Sequence, residues 1–132
     1  MSITQPLLLL VEDETSLINI YTTVFKPYFN VIVADTYESA LSKLAQYKPT
    51  IIILDIIIPV ASDKQLVYAD KVGLNLLKQV NRIPTIVFTN LNDAQDRQLA
   101  MELGACDYIL KSNILPKQLL KKIFDILQLK TE

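Results

Sequence analysis

Asp55 stands alone in IIILDIIIP, residues 51–59, one acid within a run of isoleucine and leucine. A lone carboxylate there is costly to bury unless a positive group pairs with it, or unless the run leaves the core at that point. Four other polar residues follow or close apolar runs in the same way. Glu12 and Asp13 follow LLLLV, Thr89 closes TIVFT, and Lys111 follows DYIL. Brought together, Glu12, Asp13 and Asp55 repel one another, and Lys111 offsets only one charge. A hard divalent cation such as Mg²⁺ prefers carboxylate and carbonyl oxygens and would neutralise the remainder. A nucleophilic carboxylate, a metal, a hydroxyl and an ammonium are the equipment for phosphoryl transfer to aspartate. Such a transfer needs the phosphoryl oxygens held and their charge offset, with little covalent chemistry from the protein.

Taken singly, each residue has a plainer reading. Asp55 is an acid ending a strand, Glu12-Asp13 is a helix-start signal, Thr89 is an ordinary strand residue and Lys111 a solvated charge. Their joint meaning depends on elements that would bring them together. Leu7 to Val11 is a continuous apolar run, followed by helical spacing from Thr15 to Phe29. Val31 to Ala34 is a short strand. Thr36 caps a helix bearing Ala40, Leu41, Leu44 and Ala45, which Lys48-Pro49 stops. Ile51 to Leu54 is a fully apolar strand, and Gly73 to Val80 reads as helix. Thr85 to Thr89 is the next strand. Asn92, three residues before Gln95, resembles a capping box, and Gly104 is placed to end that helix. Tyr108 to Leu110 is the last strand. Pro116 suits the first turn of a final helix with Leu119, Leu120, Ile123, Phe124 and Leu127 on one stripe.

Five β-α units with strands apolar on both sides predict a three-layer α/β/α sandwich around a five-stranded parallel sheet. Open sheets of this kind bind ligands at the carboxyl ends of their strands. All five chemical residues fall there, and Asp55 emerges at the rim rather than in the middle of the core.

Composition narrows the alternatives. The chain has 132 residues, suited to one domain and one core. Thirteen basic and fourteen acidic residues nearly cancel, which gives no electrostatic reason to expect nucleic acid or an anionic membrane as partner. The absence of histidine rules out a His base, a His ligand or a phosphohistidine in this chain. One cysteine, Cys106, excludes an internal disulfide and reads as an inert, partly buried small residue. The start, MSITQPLLLLVEDE, has no basic region and too short an apolar run for a signal peptide or a membrane span. A cytoplasmic protein without an attached output domain is the expectation.

With these residues in place the sequence resembles the receiver domain of two-component response regulators. LLLLVEDE resembles that family's first strand and acidic pair, and ILDIIIP its phosphoacceptor strand. IPTIVFTN resembles the strand bearing the switch hydroxyl, and LGACDYILK the segment with the switch aromatic and the lysine. The resemblance spans essentially residues 1–132 as a single receiver domain, flavodoxin-like, with sheet order 2-1-3-4-5 by analogy.

The resemblance implies roles. Asp55 would be the phosphoacceptor. Asp13 and Asp55 would ligate Mg²⁺ by side chain and Ile57 by its backbone carbonyl, with Glu12 acting through water. Lys111 would contact a phosphoryl oxygen. Thr89 would swing toward the phosphoryl group, and Tyr108 would move inward behind it. The donor would be a sensor histidine kinase or phosphotransfer protein. The output would be a changed surface on the fourth helix, fifth strand and fifth helix, binding a downstream protein or a second copy. Ile126 and Leu129 widen the apolar side of the last helix there. Catalysis would extend only to the domain's own phosphorylation and slow self-dephosphorylation.

Three features depart from the family pattern. Ser112 follows Lys111 where proline is usual, and Asn90 follows Thr89 where a small residue is common. The stretch of about residues 60–71, within VASDKQLVYADKV, lengthens the connection between the third strand and third helix. It reads either as a tolerated surface insertion or as a lid or docking element. These departures keep open a receiver-like interaction module that is never phosphorylated. A metal-dependent phosphohydrolase would want a second acid two residues after Asp55, where Ile57 stands.

Overall fold

The computed structural model describes residues 5–62, 65–67, 71–80 and 82–129. The chain runs β1 (Leu7–Val11), α1 (Thr15–Phe25), β2 (Asn30–Ala34), α2 (Tyr37–Gln46) and β3 (Ile51–Leu54). It continues with β4 (Val60–Ser62), β5 (Gln65–Val67), α3 (Val72–Leu77), β6 (Thr85–Thr89), α4 (Ala94–Glu102), β7 (Asp107–Leu110) and α5 (Pro116–Leu127). A single 3₁₀ turn, Lys111–Asn113, joins β7 to α5. Five strands form one parallel sheet in the order β2-β1-β3-β6-β7. Counted by sheet strand alone, this is the expected order 2-1-3-4-5.

The sheet divides the core in two because successive side chains alternate between faces. Leu9, Val11, Ile52, Leu54 and Val87 point to one face, with Ala40 of α2, Leu76 and Leu77 of α3 and Ala100 of α4. Leu8, Leu10, Ile51, Ile53, Ile86 and Phe88 point to the other, with Phe25 of α1 and Leu119, Ile123 and Phe124 of α5. Apolar residues at every position of β1 and β3 are thus explained: both faces of the sheet are covered.

Local chemistry fixes most helix ends. Thr36 caps α2, its hydroxyl accepting from the Ser39 amide at 3.0 Å while Ser39 Oγ accepts from the Thr36 amide at 3.0 Å. Gly104 ends α4 at φ +106. Pro116 opens α5. The cap of α4 is corrected by one residue. Asp93, not Asn92, accepts from the amides of Gln95 and Asp96 at 2.8 and 3.0 Å. α1 stops at Phe25, and a turn carries the chain to Phe29, whose ring enters the core instead of extending the helix. Cys106 is exposed rather than partly buried, since its strand has not yet entered the sheet.

The expected insertion is a hairpin over its described part: β4 and β5 pair antiparallel, Val60 against Val67 and Ser62 against Gln65. Residues 63–64 and 68–70 lie outside the described residues. The hairpin's entry is bonded to α2, with Tyr37 N donating to Pro59 O at 2.9 Å and Ala61 N to Glu38 Oε1 at 2.8 Å.

α3 then returns onto the turn after β3. Gly73 N donates to Ile56 O at 3.0 Å. A Cβ on Gly73 would stand 2.4 Å from Ile56 Cα and 2.8 Å from Asp55 O, closer than any side chain tolerates. The two glycines therefore serve different needs. Gly73→Ala is expected to lower stability by about 1–3 kcal/mol through backbone displacement. Gly104→Ala, with open space around its Cβ, is expected to cost only the left-handed backbone penalty of about 1 kcal/mol. Denaturant titration of both variants measures the difference, and equal losses would count against the close approach at Gly73.

Candidate functional site

Strand register builds the site. Val11 pairs with Leu54, so Glu12 and Asp55 leave β1 and β3 at the same level. Asp55 N still donates to Val11 O, and Glu12 N to Ala34 O, each at 3.0 Å. Thr89 pairs with Leu110 on β7, which places Lys111 one residue beyond the sheet edge. Glu12, Asp13, Asp55, Ile57, Thr89 and Lys111 line one open cleft of about 350 Å³, which Asn90 and Glu14 complete. All five polar residues singled out in the sequence, and Ile57, are thus brought together.

Asp55 is buried at the floor of this cleft, 6% exposed. Its Oδ1 accepts from Ile57 N at 2.9 Å, and its Oδ2 lies 2.6 Å from Lys111 Nζ. Glu12 is buried beside it. Glu12 Oε1 is 2.5 Å from the same ammonium, and Oε2 accepts from the amides of Asp13 and Glu14 at 3.1 Å each. These amides begin the approach to α1, so Glu12 ties the end of β1 to the helix start. Lys111 therefore bridges two carboxylates.

The balance of charge and burial shows in the ionisation of the pair. Burial acts to lower the pKa of Lys111, but the charge and hydrogen bond of Asp55 and then those of Glu12 outweigh it and hold the ammonium above its ordinary value. For Glu12, burial raises the carboxyl above its usual range, against the hydrogen bond and charge of Lys111. Lys111 is fixed as a cation, while the burial of Glu12 works against its anionic form.

Carboxylate oxygens of Glu12, Asp13 and Asp55 lie within 4.8 Å of one another. Among the described residues, Lys111 bridges two of these acids and no thiol or imidazole lies with them, so they form an oxygen-only donor set. Such a set fits a hard divalent cation.

Behind the cleft, Thr89 is fully buried, and its Oγ1 accepts from Leu91 N at 3.3 Å. Tyr108 is already inside, 3% exposed, its hydroxyl donating to Leu91 O at 2.5 Å. Burial, then the charges of Asp96 and Asp93, push the phenol upward, so it remains a neutral donor. Arg97 escaped the sequence reading. Its guanidinium donates to Tyr108 O at 2.8 Å and sits 5.5 Å from the ring centroid. Only its place on α4, a helix away in sequence from β7, creates this clamp, and no local pattern marks it. The α4, β7 and α5 surface carries Leu99 and Met101 exposed, and Leu129 is 39% exposed, whereas Ile126 packs partly into the core.

Residues 8–124 match the response regulator receiver domain family. The phosphate regulon transcriptional regulatory protein PhoB of Escherichia coli is 30% identical over 88% of this chain and 49% of its own length. The curated relatives are longer, and the chain spans 25–51% of their lengths. Among solved structures, the BeF3-activated N-terminal receiver domain of Klebsiella pneumoniae RstA superposes with a TM-score of 0.70 at 27% identity, covering 89% of this chain and 94% of that one. The Mn(2+)-bound form of response regulator Rcp1 gives a TM-score of 0.72 at 25% identity, covering 96% of each chain. The five-stranded fold, the acidic cleft and these matches agree: the chain belongs to the response regulator receiver domain family.

Proposed function

We propose that this domain is a phosphorylation-dependent switch in which Asp55 accepts a phosphoryl group from the phosphohistidine of a sensor histidine kinase or phosphotransfer protein. The observation that carries this reading is Asp55 at the floor of an open cleft, its carboxylate held by one ammonium and one amide. An Asp55 oxygen attacks phosphorus, the new O–P bond forms as the donor's P–N bond breaks, and the electron pair leaves with the donor imidazole. Lys111 exchanges its bond to Asp55 for one to a phosphoryl oxygen while remaining tied to Glu12. Asp13, Asp55 and the Ile57 carbonyl would hold Mg²⁺, with Glu12 acting through water, and the cation would offset the phosphoryl charge. The Mn(2+)-bound relative supports a divalent site of this kind.

The hydroxyl of Thr89 turns from Leu91 N to the phosphoryl group, and Tyr108 fills the space behind it. Phosphorylation thereby favours one arrangement of α4, β7 and α5. That surface binds a downstream protein or a second copy of the domain. No helix among the described residues is long and apolar enough to cross a membrane. The reading is of a cytoplasmic signalling module that catalyses only its own phosphorylation and a slow dephosphorylation.

Three measurements test this. Incubation with acetyl phosphate and Mg²⁺ is expected to add one phosphoryl group by intact mass, abolished by chelator and by Asp55→Asn. An unmodified wild-type chain would instead support an interaction module. Phosphoryl lifetime is expected to be long because Ile57 and Leu91 offer no side-chain hydrogen bond to an attacking water. Ile57→Asn with Leu91→Glu should speed the decay, and an unchanged rate refutes the shielding. Lys111→Met leaves Glu12 and Asp55 facing each other without a cation. It is expected to lose about 1–3 kcal/mol of stability without metal and to regain more on adding Mg²⁺ than the wild type gains. Thermal melts with and without Mg²⁺ read this, and an equal gain would refute it.

A further inference from the structure

The end of the inserted segment is fastened to α4. Lys71 immediately precedes α3, with its backbone in the left-handed region at φ 53, a conformation that disfavours residues bearing a Cβ. Its ammonium lies 3.1 Å from Asp96 Oδ1. The two partners are unequal: the Lys71 side chain is 36% exposed and that of Asp96 only 7%. Among the described residues, Asp96 Oδ2 is buried with no hydrogen-bond partner. Withdrawing the ammonium would leave a buried carboxylate that, among the described residues, keeps the support of the start of α4.

Each partner is joined to one half of the switch. Two residues beyond Lys71, Gly73 bonds to Ile56 O and lies against the Asp55–Ile56 backbone. Lys71 therefore moves with the turn that carries Asp55. One residue beyond Asp96, Arg97 clamps Tyr108 through its carbonyl and ring. The pair thus links the Asp55 turn to the helix that holds Tyr108, by a route that does not pass through Thr89.

We propose that Lys71 and Asp96 are a positioning pair that holds α4 in the arrangement with Tyr108 buried, so that the inserted segment sets how readily the domain responds at Asp55. The second half rests on the function proposed above; the first does not. Two influences that favour the same arrangement reinforce each other, so losing the pair weakens the response to phosphorylation.

The test uses the full chain with Lys71→Met, Lys71→Arg, Asp96→Asn and the Lys71→Met/Asp96→Asn double variant. Amide hydrogen exchange is read first, without a phosphodonor. Lys71→Met is expected to speed exchange in α4 by about fivefold or more, leaving the sheet amides unchanged. Lys71→Arg should behave as wild type. Asp96→Asn added to Lys71→Met should recover part of the loss, because it removes the unpaired buried charge. The initial rate of phosphorylation by acetyl phosphate and Mg²⁺ is read second, and should fall by a similar factor in Lys71→Met. Unchanged α4 exchange, or a rise spread equally over the sheet, overturns the positioning role. Faster α4 exchange with an unchanged phosphorylation rate overturns the coupling to Asp55. If the wild type takes no phosphoryl group while α4 exchange responds as expected, the proposed function falls and the positioning role stands.

Discussion

The ammonium of Lys111 lies between the carboxylates of Asp55 and Glu12, and much of the domain serves to keep it there. Two buried acids side by side repel, and neither can be hydrated fully. One cation shared between them removes most of that penalty, provided that three chain segments stop at the same level. The parallel registers of β1 with β3 and of β6 with β7 supply that level. The amides at the start of α1 complete the coordination of Glu12. The result is an acidic cleft whose oxygen donors suit a hard divalent cation.

A second constraint lies beneath Asp55. The turn after β3 is held from below by α3, whose Gly73 sits on the backbone of Asp55 and Ile56 with no room for a Cβ. The chain before α3 forms, over its described part, a hairpin that bonds to α2 on entry. On exit the chain pairs with α4 through Lys71 and Asp96. Both ends of this segment are bonded to elements that frame the site. Its neighbours Ile56 and Ile58 are fully buried, while Ile57 stands partly exposed at the cleft, so the apolar run around Asp55 serves both core and rim.

Much of this was legible in advance, for identifiable reasons. β1, β3 and β6 are apolar throughout, and only a sheet covered on both faces explains such runs. Polar residues placed just beyond those runs had to collect at one edge. Thr36, Gly104 and Pro116 carry their local instructions in their own chemistry. Where several candidates for one task lie together, the sequence is less decisive: Asn92 and Asp93 can each cap α4, and Asp93, with its extended backbone, takes the cap. The helix that ends at Phe25 kept its periodicity to Phe29, and only core packing of that ring shows where helix gives way to turn.

The sequence by itself determined the order of elements, the two-faced sheet and the set of side chains that meet at its edge, because alternation and apolar runs are written residue by residue. Tertiary structure decided the rest, since it depends on groups far apart along the chain. It gave both Glu12 and Asp55 to a single lysine. It set Arg97 over Tyr108, shaped residues 60–67 into a hairpin where described, and turned the exposed-looking Lys71 and Asp96 into a half-buried pair. Pair distances, burial and the close approach at Gly73 are properties of packing, and no local pattern encodes them.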